Sequence, residues 1–126
     1  GEVMSGEIAK KTVEAYFEGL NHNNSSELLK VSHFPHFRIS PKGELIVFET
    51  PNDFMKWFYN KTNSDNWHHS ELNKIHTSLI TDTKLHSQFT FTRYRSDNSI
   101  IGQYQAIYII IYVNGKWGIK GGSGNG

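Results

Sequence analysis

Apolar residues in the first half of the chain recur at intervals of three or four, which is the spacing of amphipathic helices. Five of them mark the first helix: Ala9, Val13, Tyr16, Phe17 and Leu20. We expect Ser5 to cap its start, and Asn24 with Glu27 three residues later to start a short second helix. Thr50 followed by Pro51 is typical of a third helix that has Pro at its first position. The pattern therefore predicts three helices.

Elsewhere the apolar period changes to two, which is typical of β-strands. A short hairpin is predicted over residues 34–49, with its turn at Ser40-Pro41-Lys42-Gly43. Four longer strands are predicted over 67–81, 84–95, 100–113 and 116–120, and Asn114-Gly115 is a strong hairpin signal between the last two. The strand 100–113 is apolar on both faces from Ala106 onward, so we expect helices on one face and a dimer partner on the other. Residues 1–5 and 121–126 are predicted to be the flexible ends of a single domain.

The composition fits one globular domain. The 126 residues are 37% hydrophobic and 13% aromatic, which is enough for one core. Because the net charge is only +1 and no basic stripe is visible, nucleic acid is not an expected partner. The longest apolar stretch, Ala106 to Val113, is too short to cross a bilayer, so no membrane association is expected. The absence of Cys suits a reducing compartment, and we expect a cytoplasmic protein without a cofactor.

Two stretches carry a family resemblance: Ala15-Tyr16-Phe17-Glu18-Gly19-Leu20-Asn21, and the hairpin Tyr112-Val113-Asn114-Gly115-Lys116-Trp117-Gly118-Ile119. Together with the order of helices and strands, they resemble the NTF2-like superfamily, which includes ketosteroid isomerase and SnoaL-like polyketide cyclases. The resemblance implies an α+β fold in which a cone-shaped, curved antiparallel sheet wraps around three N-terminal helices. It also implies a small-molecule pocket in the mouth of the cone and a homodimer formed through the sheet.

The resemblance to ketosteroid isomerase is informative where the residues differ. Tyr16 falls at the position of that enzyme's oxyanion tyrosine. Ser40, however, falls where the isomerase has its aspartate base, and a serine there does not abstract a proton. The second aspartate of that oxyanion hole would fall within residues 107–111, which contain no carboxylate. Steroid-type isomerisation is therefore disfavoured.

A polar stripe is predicted on the first strand of the short hairpin. If Ser40 faces the pocket, the two-residue period places Arg38 and His36 on the same face. An Arg inside a pocket needs a carboxylate, a phosphate or several carbonyl groups around it, which favours an anionic or carbonyl-bearing ligand. An edge strand with an ordinary solvent-facing Arg38 fits the pattern equally well.

The spacing of the histidines does not favour a metal site. His33 and His36 are three residues apart, which places them on opposite faces of a strand, and no clear third ligand is close in sequence. With an ordinary pKa of about 6.5, either histidine could instead act as a general base.

Aromatic and basic residues elsewhere offer further pocket contacts. Arg93 shares a strand face with two phenylalanines, which indicates either a pocket anchor or, more commonly, a strand-end Arg that reaches water. Trp57, Tyr104 and Tyr108 are large rings that pack a core or line a pocket. Their position in sequence alone leaves both roles open.

Three functions follow, in order of preference. The first is a small-molecule-binding domain whose ligand contacts are Arg38, Ser40, Trp57, Arg93, Tyr104 and Tyr108. The second is a cofactor-free lyase, isomerase or cyclase, in which His36 or His33 is the base and Tyr16 or Arg38 polarises a carbonyl group. The third is a dimerising adaptor domain that binds no ligand.

Overall fold

The computed structural model describes residues 2–126 as three helices and six strands. The elements in chain order are α1 (Glu2–Asn21), α2 (Ser25–Lys30), β1 (Ser32–Ile39), β2 (Leu45–Phe48), α3 (Pro51–Thr62), β3 (His69–Thr81), β4 (Lys84–Tyr94), β5 (Ile100–Val113) and β6 (Lys116–Gly124). A single 3-10 turn follows α3. The predicted α+β class is confirmed, and strand and helix positions lie within a few residues of the predicted ones.

The helices begin where local side chains satisfy their free backbone N–H groups. The Asn24 side chain accepts a hydrogen bond from the Glu27 backbone, and Thr50 accepts one from the Asp53 backbone, both at 3.1 Å. The five apolar residues predicted on α1 are all at least 95% buried. The predicted cap at Ser5 is wrong, because α1 begins at Glu2 and Ser5 lies within it. The helix therefore also includes residues 2–5, while Gly1 lies outside the described residues.

The six strands form one open, curved sheet in the order β2-β1-β6-β5-β4-β3. Four of the five neighbouring pairs are antiparallel, as predicted. The pair β1 and β6 is parallel, so the sheet is mixed and the prediction of a purely antiparallel sheet is wrong at this point. α1 and α3 pack on one face of this sheet, and the core lies between these helices and the sheet.

Strand β6 is longer than its sequence suggested. It continues through Gly124, so the predicted flexible segment 121–126 is a strand for most of its length. Gly121 and Gly122 leave room for aromatic rings that cross the strand, because a Cβ on Gly121 would overlap the ring of Phe37 and one on Gly122 would overlap that of Tyr108. The glycines here serve close packing between strands.

The turn between β5 and β6 has the predicted hairpin geometry. Asn114 and Gly115 have φ angles of 54° and 78°, which is the left-handed conformation that a type I′ turn requires at both positions. The hairpin sets β6 against β5 and thereby brings the glycine segment back across the sheet.

The outer face of the sheet, opposite the helices, carries an apolar row on β5. Ile107, Ile109 and Ile111 alternate with Tyr108 and Ile110, which are buried on the inner face. Ile107 is 41% exposed in the single chain. The predicted dimer partner on this face stays a prediction.

Candidate functional site

A cavity lies between α1, α3 and the inner face of the sheet, with about 550 Å³ of empty space when its open mouth is included. Its walls are mainly aromatic: Tyr16, Phe17, Phe54, Trp57, Phe58, Phe91 and Tyr108. Three cationic side chains reach it from three different elements, Arg38 from β1, Lys61 from α3 and Arg93 from β4. Among the described residues, no Asp or Glu lines the cavity. The cavity is therefore apolar and electropositive.

Arg38 is held by neutral hydrogen-bond acceptors. Its Nε donates to Nε2 of His36 at 3.0 Å, Nη1 donates to the Tyr108 hydroxyl at 2.9 Å, and Nη2 donates to the Tyr16 hydroxyl at 2.9 Å. The guanidinium carbon lies 5.1 Å from the ring centre of Phe54. These contacts fix the orientation of Arg38 but do not neutralise its charge. The structure thus places the predicted His36–Arg38 stripe inside the fold.

His36 is 1% exposed and is held in one neutral tautomer. Its Nδ1 donates to the backbone carbonyl of Ile119 at 3.2 Å, while its Nε2 accepts the bond from Arg38. Burial, together with the positive charge of Arg38, lowers the pKa of His36 to about 2. Because its only lone pair is occupied by Arg38, the contacts argue against His36 as a general base and support a role in positioning Arg38.

Tyr16 projects from α1, is 2% exposed and accepts a hydrogen bond from the Arg38 guanidinium. Burial raises the pKa of Tyr16 well above its ordinary value, although the nearby Arg38 acts in the opposite direction. The hydroxyl therefore stays protonated, and it accepts a hydrogen bond from Arg38 while its own hydrogen can be donated either to the Tyr108 hydroxyl beside it or to a ligand. A carbonyl or carboxylate oxygen in the cavity would be a suitable acceptor.

Arg93 is 7% exposed and is surrounded by rings. Its guanidinium carbon lies 4.7 Å from the ring centre of Tyr104, 5.5 Å from that of Phe91 and 5.7 Å from that of Phe58. Its Nε is buried and makes no hydrogen bond. The side chain turns inward from β4 and packs among these rings, which is the arrangement expected of a pocket anchor.

Lys61 lies in the last turn of α3, and sequence reasoning missed it. Its Nζ lies 4.4 Å from the ring centre of Trp57 and donates to the backbone carbonyl of Gly126 at 3.0 Å. Burial, and then the charges of Arg93 and Arg38, lower the pKa of Lys61 to about 7. A signal was present, since Lys61 stands three and four residues after Phe58 and Trp57 and therefore interrupts the apolar face of α3.

The structure separates the other predicted contacts into two groups. Trp57 and Tyr108 line the cavity, whereas Tyr104 stands behind Arg93 and contacts its guanidinium. Ser40 belongs to the β1–β2 turn, where its hydroxyl accepts a hydrogen bond from the Glu44 backbone at 3.1 Å. His33 is outside the cavity lining and donates from Nε2 to the Lys116 carbonyl at 3.1 Å, and burial lowers its pKa. Ser40 and His33 are thus not brought to the cavity.

Two further properties concern residues 2–126. Within this part of the chain, no group of three or more His, Asp or Glu side chains is arranged to hold a metal ion. None of the described helices is both long and apolar enough to span a membrane.

No protein-family model matches the chain, and no curated protein is significantly similar to it in sequence. Solved structures are similar over nearly its whole length. An NTF2-like protein of unknown function from Shewanella oneidensis is 7% identical, with a TM-score of 0.73, covering 95% of this chain and 98% of its own. A protein of unknown function with a cystatin-like fold from Nostoc punctiforme is 9% identical, with a TM-score of 0.75, covering 94% and 87%. A protein from Catenulispora acidiphila, solved in complex with S-DNPA, is 6% identical, with a TM-score of 0.73, covering 94% and 90%.

The chain has the NTF2-like fold, also described as cystatin-like. The predicted resemblance is therefore confirmed at the level of the fold. Identities of 6–9% carry no information about which ligand this chain binds, so its function has to be argued from its own cavity.

Proposed function

We propose that the protein binds a small organic carboxylate with an apolar or aromatic body, in the cavity between α1, α3 and the sheet. The observation that carries this proposal is Arg93, whose Nε is buried without a hydrogen-bond partner in a cavity that no Asp or Glu side chain of the described residues lines. A cation of this kind is costly to bury unless an anion joins it. A bound carboxylate supplies that anion and accepts hydrogen bonds from the guanidinium in the planar geometry that Arg favours.

The other two cations support a negatively charged ligand. Lys61 and Arg38 line the same cavity, and the pKa of Lys61 is lowered first by burial and then by the positive charges of Arg93 and Arg38. An anion in the cavity would offset these charges. Tyr16 adds a protonated hydroxyl for a second ligand oxygen.

The aromatic walls favour a ligand with an apolar body. Phe54, Trp57 and Phe58 present rings from α3, and Tyr108 closes the cavity from β5. The enclosed space is only about 40 Å³, below the usual range of small-molecule sites, so the ligand body would have to occupy the open mouth of the cavity as well. The complex of the Catenulispora protein with S-DNPA supports the view that this fold accommodates small molecules.

The test compares 3-phenylpropanoate with its neutral amide, 3-phenylpropanamide, by isothermal titration calorimetry. We expect the carboxylate to bind at least about 10-fold more tightly in the wild type, because only the carboxylate pairs with Arg93. In Arg93→Met this preference disappears. Arg95→Met is the matched control, since Arg95 follows two residues later but bonds backbone carbonyls of Asp65 and Ile100 outside the cavity. Equal binding of both compounds by the wild type would overturn the proposal.

A second readout separates a ligand-binding Arg93 from a structural one. In the ligand-free protein, Arg93→Met removes an unpaired buried charge and keeps an apolar side chain of similar length. We therefore expect the free energy of unfolding to rise by about 1–3 kcal/mol in urea titrations. A loss of stability would mean that Arg93 supports the fold itself.

We also infer that a second copy of the chain covers the outer face of the sheet. The row Ile107, Ile109 and Ile111 is apolar, with Ile107 exposed and the other two half-buried in the single chain, which suits an interface between sheets. A dimer formed in this way leaves the cavity free, because the cavity is on the opposite face.

A further inference from the structure

We propose that the Lys61 amine forms an imine with the ketone group of a 2-oxo acid whose carboxylate is held by Arg93. This inference rests on the proposed carboxylate-binding function and names the substrate class. It assigns to Lys61 a covalent role that the other cations of the cavity do not have, because a guanidinium does not deprotonate.

The position of Lys61 suits a nucleophile. Its nitrogen ends inside the cavity, with the face of Trp57 on one side and one hydrogen-bond acceptor, the Gly126 carbonyl. Among the described residues, no Asp or Glu side chain lines the cavity to hold the amine as an ammonium ion. Lysines that act as imine-forming groups are activated by an apolar pocket or by a neighbouring cation, and Lys61 has both.

The protonation state agrees with this position. The pKa of Lys61 is lowered to about 7, first by burial and then by Arg93 on β4 and Arg38 on β1. The cavity also holds the hydroxyls of Tyr16 and Tyr108. In the ligand-free protein, about half of the Lys61 amines therefore carry the free lone pair at neutral pH, against roughly one in three thousand for an ordinary lysine.

The two groups that a 2-oxo acid needs are close together. Nζ of Lys61 and the guanidinium of Arg93 both approach Phe58, at 5.8 Å and 5.7 Å from its ring centre. Both also approach Gly126, since Nζ bonds its carbonyl and Nη2 of Arg93 lies 3.1 Å from where a Cβ on that glycine would be. A 2-oxo acid carries its carboxylate and ketone on adjacent carbons, so the imine requires a carboxylate on Arg93 to direct the ketone carbon towards Lys61.

The chemistry needs no further reactant. The neutral Nζ attacks the ketone carbon, a C–N bond forms, and the carbonyl electron pair moves to the oxygen. The two protons of the amine pass to this oxygen, which leaves as water when the C=N bond forms. One amine and one ketone thus give one imine and one water, with no change of oxidation state.

The test uses phenylpyruvate, which is 3-phenylpropanoate with a ketone beside the carboxylate. Wild-type protein is incubated with phenylpyruvate and sodium cyanoborohydride at pH 7, and the reduced adduct is located by intact mass and peptide mapping. We expect one adduct, on Lys61, formed at least about 10-fold faster than on Lys56. Lys56 is the internal control, because it is exposed on the same helix.

Two variants keep the result interpretable. Lys61→Arg retains the charge and Lys61→Met retains the apolar stem, and both are expected to lose the selective adduct, whereas Lys56→Arg keeps it. Uniform labelling of the lysines, or none, in a protein that binds 3-phenylpropanoate would overturn the imine and leave the binding proposal standing. If 3-phenylpropanoate does not bind in preference to its amide, the binding proposal fails, and the imine as stated fails with it.

Discussion

At the scale of single residues, the three basic side chains of the cavity differ in the groups that surround them. Arg38 has three neutral acceptors, Arg93 has rings and an unsatisfied Nε, and Lys61 has one backbone carbonyl. The sequence showed that Arg38 shares a strand face with His36 and that Arg93 shares one with phenylalanines. It could not show that both side chains point into one cavity together with Lys61, because that depends on how β1, β4 and α3 are packed.

His36 gives a residue-scale prediction about acid stability. Its pKa is about 2 in the folded protein and about 6.5 when unfolded, so the unfolded state alone binds the proton as the pH falls below 6.5. The stability that comes from neutral His36 is complete above pH 6.5 and is lost progressively towards pH 2. Between pH 6.5 and 5 we expect a loss of roughly 1.5 kcal/mol.

The measurement compares wild type with His36→Asn, whose amide nitrogen can replace Nδ1 as the donor to Ile119. Urea unfolding is followed at several pH values between 6.5 and 5. The variant is expected to be less stable at pH 6.5 but to lose less stability as the pH falls, since it has no proton to bind there. Parallel curves for the two proteins would contradict the assigned cause.

At the scale of elements, β6 decides the shape of the cavity wall. Its glycines are next to aromatic residues of both neighbouring strands, Phe37 on β1 and Tyr108 on β5. The sequence of this segment resembles a flexible tail, since glycine has no side chain and carries no strand periodicity. What makes it a strand is its position between β1 and β5, which supply hydrogen bonds on both edges.

Gly122 gives the element-scale prediction. A Cβ at Gly122 would overlap the Tyr108 ring and come within 2.7 Å of the Ile107 carbonyl oxygen, and a backbone oxygen does not move aside easily. Gly122→Ala is expected to lower the free energy of unfolding by about 2 kcal/mol or more and to weaken binding of 3-phenylpropanoate, because Tyr108 also orients Arg38.

The control is Gly6→Ala on α1, where a Cβ would meet nothing within 4 Å. That change is expected to raise stability by about 0.5–1 kcal/mol, through the better helix propensity of Ala. Both variants are measured by the same urea titration. A stability of Gly122→Ala equal to that of the wild type would show that β6 tolerates a side chain there.

At the scale of the whole molecule, the order of the strands separates two surfaces. The inner face of the sheet forms the cavity with α1 and α3, while the outer face exposes an apolar row on β5. The sequence indicated that residues from Ala106 onward are apolar on both faces, and only the sheet order shows that β5 has strands on both sides.

Sedimentation velocity tests the role of the outer face. The wild type is expected to be a dimer at micromolar concentration, and Ile107→Lys is expected to be a monomer, because it places a charge in the apolar row. Leu45→Lys is the control, since Leu45 is 65% exposed on the edge strand β2, away from that row. A monomeric wild type, or a dimer that Ile107→Lys does not affect, would exclude this interface.

Local patterns in the sequence are sufficient to predict the class of fold and most of its elements, because periodicity, caps and turn residues act within a few positions of the chain. Asn24, Thr50 and Asn114-Gly115 each set a local boundary that the structure confirms. Tertiary structure alone decided the parallel pairing of β1 with β6, the strand at the glycine-rich end and the meeting of Arg38, Arg93 and Lys61. These features depend on contacts between residues far apart in the chain, and no local pattern records them. The burial that lowers the pKa of Lys61 and keeps His36 neutral arises only when those elements close around the cavity.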